Sequence, residues 1–132
     1  MERRVTLASE PEAPSRARAL VDRELGTLSR KIREDAALLV SELVTNAVRY
    51  ASATDGPDGI EVRIRTEPGR IRVAVSDRGG GFEPSPRSPS TAEGSGWGLY
   101  LVDRIADRWG VVSEDRNEVW FEMDVAADTG SS

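Results

Sequence analysis

The chain has 132 residues, 31% of them charged and 38% hydrophobic, with a formal net charge of −5 and neither cysteine nor histidine. The two absences exclude disulfides, thiol nucleophiles, thiolate or imidazole metal sites and Ser-His or Cys-His catalysis, leaving hard oxygen ligands that suit Mg²⁺ best. The acidic balance argues against a broad nucleic-acid face, no apolar run reaches the roughly 18 residues of a membrane span, and Met1-Glu2-Arg3-Arg4 opens no signal core, so one compact cytoplasmic domain is expected.

From the N-terminus, Val5-Thr6-Leu7 reads as a short strand. After the break from Pro11 to Pro14, the spacing of Ala17, Leu20, Val21 and Leu25 predicts a helix over about Glu12 to Leu25. Gly26 ends it and Ser29 caps a second helix reaching about Tyr50, where Ile32, Ala36, Leu39, Val40, Leu43, Ala47 and Val48 leave almost no wet face. A helix apolar nearly all round belongs inside the domain. Beyond a polar turn from Ser52 to Gly59, Ile60, Val62 and Ile64 alternate with Glu61, Arg63 and Arg65. The turn Glu67-Pro68-Gly69-Arg70 then leads into Ile71, Val73 and Val75 as far as Asp77, a pattern that predicts two antiparallel strands with one solvated face.

Arg78 to Trp97 is rich in Gly, Pro and Ser and has no periodicity, and a stretch of that length inside a small domain reads as a functional lid. Arg87 is the basic residue in its middle. Leu99, Val102, Ile105, Ala106 and Trp109 predict a helix closed by Gly110. Val111-Val112 and Val119 to Val125 predict two last strands about a turn at Asp115 to Asn117. Residues 126–132 read as a frayed tail behind a single domain over 1–125. The order predicts an α+β two-layer sandwich, a mixed and mainly antiparallel sheet with helices on one face.

Three constellations carry chemistry. On the buried helix, Glu42, Thr45, Asn46 and Arg49 fall at i, i+3, i+4 and i+7, a polar stripe on an apolar rod. An ordinary solvent face with a Glu-to-Arg pair is one reading. The other is a carboxylate and an amide oxygen one turn apart, able to hold Mg²⁺ beside an attacking group. Asp77-Arg78-Gly79-Gly80-Gly81-Phe82 follows a hydrophobic strand; it is either a turn, or a carboxylate that accepts from an exocyclic amine beside glycines that let the backbone approach a ring. Gly94-Ser95-Gly96-Trp97-Gly98-Leu99 opens a helix, as a plain cap or as free amides turned to an anion. The βαβ context of a dinucleotide fold and the Gly-x-x-x-x-Gly-Lys of a P-loop are both missing.

The order of these motifs, Glu-x-x-x-Asn, Asp-x-Gly-x-Gly and Gly-x-Gly-x-Gly-Leu, resembles the ATP-binding domain shared by histidine kinases, gyrase and MutL, over about Arg16 to Val125. Ser41 to Ala47 and Gly98 to Val102 are most similar to the small bacterial anti-sigma factor serine kinases, supported by Ala106 to Gly110 and Val119 to Glu122. The resemblance implies ATP and Mg²⁺ as cofactors, with Asn46 ligating the metal and Glu42 as the base. It implies Arg49 toward the phosphates, Asp77 on the adenine amine with Gly79 and Gly81 shaping its pocket, and Gly94, Gly96, Gly98 and Leu99 at the phosphate-facing end of the lid.

Two departures stand out. Arg116-Asn117-Glu118 replaces the family's Gly-x-Thr turn, making Asn117 the candidate substitute for an adenine-binding hydroxyl, and Tyr50 stands where the serine kinases often carry histidine. The implied activity is serine/threonine phosphorylation of a STAS-type anti-sigma-factor antagonist and sequestration of a sigma factor, with homodimerisation a family trait and no direct nucleic-acid or membrane partner. A nucleotide-dependent protein-binding switch with little phosphotransfer is the alternative. A chain of this kind without histidine must pass its phosphoryl group elsewhere, to another protein or to water.

Overall fold

Alternation of apolar and charged residues along one hairpin sets the centre of the fold. In a computed structural model of the protein, residues 1–8, 10–51, 59–77, 97–113 and 117–125 are described, with the side chains of 49–51, 97–99, 113 and 117 excepted. Strand β2 (Ile60–Glu67) pairs with β3 (Arg70–Asp77) in register from Ile60 opposite Asp77 to Glu67 opposite Arg70. Strand β1 (Glu2–Leu7) adds to the outer edge of β2, and β5 (Asn117–Asp124) pairs with β3 on its other side and with β4 (Arg108–Ser113). The sheet order is β1-β2-β3-β5-β4, antiparallel at all four described pairings.

Gly59 is fixed by this packing. Its φ is 70°, and a Cβ there would stand 2.2 Å from the Leu7 carbonyl oxygen, so a side chain would drive β1 off the start of β2.

Helices α1 (Ala13–Glu24) and α2 (Arg30–Ala51), with α3 (Trp97–Ile105), supply the second layer. Proline in the first turn starts α1, where its missing N–H costs nothing. The Ser29 hydroxyl accepts from the Ile32 amide at 3.3 Å and caps α2. α1 buries Ala13, Ala17, Leu20 and Val21, and α2 buries Ala36, Leu39, Val40, Leu43, Val44 and Ala47 against one row from each strand: Val62 and Ile64, Val73 and Val75, Phe121 and Met123. Taking a side chain such as Phe121 fully out of water is worth roughly 1.5–3 kcal/mol, so this row and the two helices hold the layers together.

The other sheet face carries no helix among the described residues. Arg72, Arg108 and Arg70 surround the buried Glu122, Arg63 meets Glu118 at 2.6 Å, and the Trp120 ring lies with the Arg72 guanidinium 4.2 Å from its centroid. Arg108, before Arg72 and Arg70, holds the Glu122 carboxyl below the usual carboxylate range, outweighing the opposing effect of burial; it depresses Asp124 as well.

Two element boundaries differ from the pattern-based expectation. The first strand begins at Glu2, because its charged residues lie along a solvated edge where apolar periodicity carries no information. The third helix stops at Ile105, and Trp109 and Gly110 belong to β4. Ile105 and Trp109 are four apart and so satisfy a helical period. Pairing of Trp109 with Phe121 and of Gly110 with Trp120 takes them into the sheet instead. Gly110 is therefore a floor for the indole: a Cβ there would stand 2.7 Å from the Trp120 ring. The turn at residues 52–58, the stretch 78–96, residues 114–116 and the tail 126–132 lie outside the described residues.

Candidate functional site

The polar stripe of α2 lies on the middle of a buried helix. Ser41 and Thr45 turn their hydroxyls back onto the helix, Ser41 donating to the Leu38 carbonyl at 2.9 Å and Thr45 to the Ser41 carbonyl at 2.7 Å. These two groups are thereby satisfied internally. Asn46 and Glu42 behave differently. Asn46 is 8% exposed, yet among the described residues its amide group has no hydrogen-bond partner; Glu42, one turn earlier and half-buried, has neither hydrogen bond nor ion pair there. Two polar groups left unengaged one turn apart are open to an external polar ligand. The side chain of Arg49 lies outside the described residues.

Asp77 ends β3 on the row that faces the helices, continuing Ile71, Val73 and Val75, and it is 4% exposed. Its main chain is paired on both sides, with Ile60 and with Asn117. The register thus brings Asp77 and Asn117, forty positions apart, to directly opposed places at one end of the sheet, while α2 packs across β3. Gly98 and Leu99 lie in the first turn of α3, which packs on α2. Gly79, Gly81, Gly94, Gly96 and Arg87 lie outside the described residues.

Among the described residues no group of three or more acidic side chains is placed to hold a metal ion. A divalent ion here would draw one oxygen from Asn46 and the rest from phosphates and water, which is the usual habit of Mg²⁺. The donor chemistry of Asn46, an amide oxygen without another partner among the described residues, fits that role. Among the described residues no helix is long and apolar enough to cross a membrane.

One contact next to this site escaped the sequence pattern. The Trp109 indole N–H donates to Asp103 Oδ1 at 2.9 Å, linking α3 to β4. With Trp109 assigned to the end of a helix, no spacing rule pairs it with Asp103.

Residues 7–123 match the family described as the histidine kinase-like ATPase domain. The serine-protein kinase RsbW of Bacillus pumilus is 38% identical over 56% of this chain and 54% of its own length. RsbW of Bacillus subtilis is 33% identical over 56% and 53%. The chain spans about half the length of the curated relatives it matches. Among solved structures, that of the RsbU and RsbW domains of Rv1364c from Mycobacterium tuberculosis superposes with a TM-score of 0.75 at 22% identity, covering 95% of this chain and 32% of that one. The histidine kinase domain of a blue-light activated histidine kinase from Erythrobacter litoralis gives 0.54 at 17%, covering 89% and 61%. At these identities the structural likeness is one of fold.

Proposed function

Because the chain belongs to the histidine kinase-like ATPase domain family, we propose that it is a serine/threonine protein kinase of the anti-sigma-factor type, using ATP and Mg²⁺. Its substrate is a hydroxyl of a STAS-type anti-sigma-factor antagonist, and it sequesters a sigma factor in the cytoplasm. The observation that carries this reading is the pairing on α2 of the Asn46 amide with the half-buried Glu42 carboxylate one turn away, neither engaged among the described residues. Asn46 would hold Mg²⁺, which would supply charge neutralisation for the phosphates. Glu42 takes the proton as the serine or threonine oxygen bonds to the γ-phosphorus and the bond to ADP breaks. Phosphoryl transfer asks for this kind of positioning and charge neutralisation.

Asp77 accepts from the adenine amine with Asn117 beside it, Gly79 and Gly81 shape the ring pocket, and Gly94, Gly96, Gly98 and Leu99 present amides to the phosphates with Arg49. α1 also carries exposed Arg16, Arg18 and Arg23 without an ion pair among the described residues, spread around the outer side of a helix that the exposed Asp22 shares. On a chain of net charge −5 these are cations open to an acidic partner.

The test is incubation of the full chain with γ-labelled ATP, Mg²⁺ and a STAS-type antagonist domain. Label on a serine or threonine of that domain is the expected result. ATP bound with label on nothing would leave a nucleotide-dependent binding module in place of a kinase.

A further inference from the structure

α3 is lightly held. Of its described side chains only Val102 is fully buried, with Leu101 and Ile105 partly buried against the core and Asp103 and Arg104 exposed. The turn that follows is anchored firmly to β5. The Asp107 amide donates to the Glu122 carbonyl at 3.0 Å, and the Asp124 amide donates to Asp107 Oδ2 at 2.6 Å. The Ala106 amide closes the helix on the Val102 carbonyl at 2.9 Å. From β4, Trp109 lays its ring against the core opposite Phe121 and reaches back with its indole N–H to Asp103 Oδ1 at 2.9 Å.

These contacts form a triangle. The turn is a pivot fixed to the sheet, and the Asp103–Trp109 hydrogen bond sets the angle at which α3 leaves it. From Ala106 to Gly98 the axis is about 12 Å long at about 1.5 Å per residue, so a tilt of about 10° at the pivot carries the first turn by about 2 Å. Displacements of about 1 Å in groups that orient a reacting ligand already matter to catalysis.

We infer that Trp109 and Asp103 are positioning residues for the nucleotide phosphates, acting through α3 without touching the ligand. The inference rests on the reading above that the first turn of α3 faces the phosphates. Trp109 serves because its ring is anchored in the core while its one polar atom reaches the helix. An indole N–H needs only an acceptor, so the charge of Asp103 is not required.

The experiment is calorimetric titration of the full chain with Mg²⁺-ATP and, separately, with adenosine, in the unsubstituted protein and in Trp109→Phe, Asp103→Ala and Asp103→Asn. An exposed hydrogen bond holds its competent pose by a modest margin, so its loss lowers ATP affinity about fivefold. Trp109→Phe and Asp103→Ala should both show that loss, with adenosine affinity unchanged because adenosine reaches Asp77 and not α3. Asp103→Asn, which keeps an acceptor oxygen, should bind ATP like the unsubstituted chain. ATP affinity unchanged in Asp103→Ala, equal losses for ATP and adenosine, or failure of Asp103→Asn to restore binding would each overturn the inference. Asp103 is exposed, so its variants keep the test valid even if Trp109→Phe unfolds. An unsubstituted chain that binds ATP no better than adenosine would instead overturn the parent reading of α3.

Discussion

Asp77 occupies the most constrained polar position in the candidate site: 4% exposed, at the end of a strand paired on both sides, and opposite Asn117. Under the proposed function, a carboxylate there would accept from the amino group of adenine and would repel the carbonyl oxygen that guanine presents at the same place. ATP should therefore bind on the order of 10² more tightly than GTP, and Asp77→Asn should narrow the gap, since an amide can also donate. Equal affinities in competition titrations would remove Asp77 from base recognition. Glu42, Asn46 and Asp77 were legible in the sequence because each is a polar residue breaking a strongly apolar pattern. What the pattern could not show is which polar groups are already satisfied. Thr45 shares the stripe with Asn46, yet its hydroxyl is spent on the Ser41 carbonyl.

Glu122 gives a second prediction at the residue scale. Its carboxyl is depressed chiefly by the Arg108 hydrogen bond, so its folded pKa lies below its unfolded one. The stability it contributes is complete above the ordinary glutamate value of about 4.3 and is lost as pH falls through the lower folded value. Urea midpoints should drop between about pH 5 and pH 2 in the native chain, and Glu122→Gln should be less stable near neutrality with a shallower acid limb. Parallel acid limbs in the two proteins would show that the Arg70, Arg72 and Arg108 cluster contributes nothing to the pH dependence.

At the scale of elements, the hairpin from Ile60 to Asp77 follows directly from a period of two; α2 is buried through Leu39 to Ala47 as its apolar residues imply, but its first turns carry a wet face of Arg30, Lys31 and Glu34 that the apolar pattern did not show. The boundary after α3 does not. Ile105, Trp109 and Gly110 satisfy a helical ending as well as a strand, and only pairing with β5, remote in the local pattern, decides between them. Gly110 tests that resolution. As a helix stop it would tolerate alanine at little cost, but as the floor beneath Trp120 it would not, since the added Cβ would meet the ring at 2.7 Å. Gly110→Ala should lose about 1–3 kcal/mol in chemical denaturation, and most of that loss should vanish in a Trp120→Leu background. An equal loss in both backgrounds would place the clash elsewhere.

On the scale of the whole molecule, the two faces of the sheet divide the labour. One row of each strand and the helices make the core and carry Asp77 to its end, while the opposite face is a lattice of arginines and carboxylates in which Glu122 is tied to three arginines. Residues 7–123 match the histidine kinase-like ATPase domain family, which the sequence indicated through the order of three motifs that are individually weak.

Under the proposed function, Glu42 is the base that acts on a nucleotide held by other residues. Single-turnover transfer of γ-labelled phosphate from ATP to a STAS-type antagonist domain should be measured for the unsubstituted chain and for Glu42→Ala, with ATP affinity titrated in parallel. In Glu42→Ala, ATP affinity should stay within about twofold and transfer should fall by about 10²–10⁴, the usual contribution of a general base. Transfer at the same rate in Glu42→Ala, with ATP still bound, would contradict it.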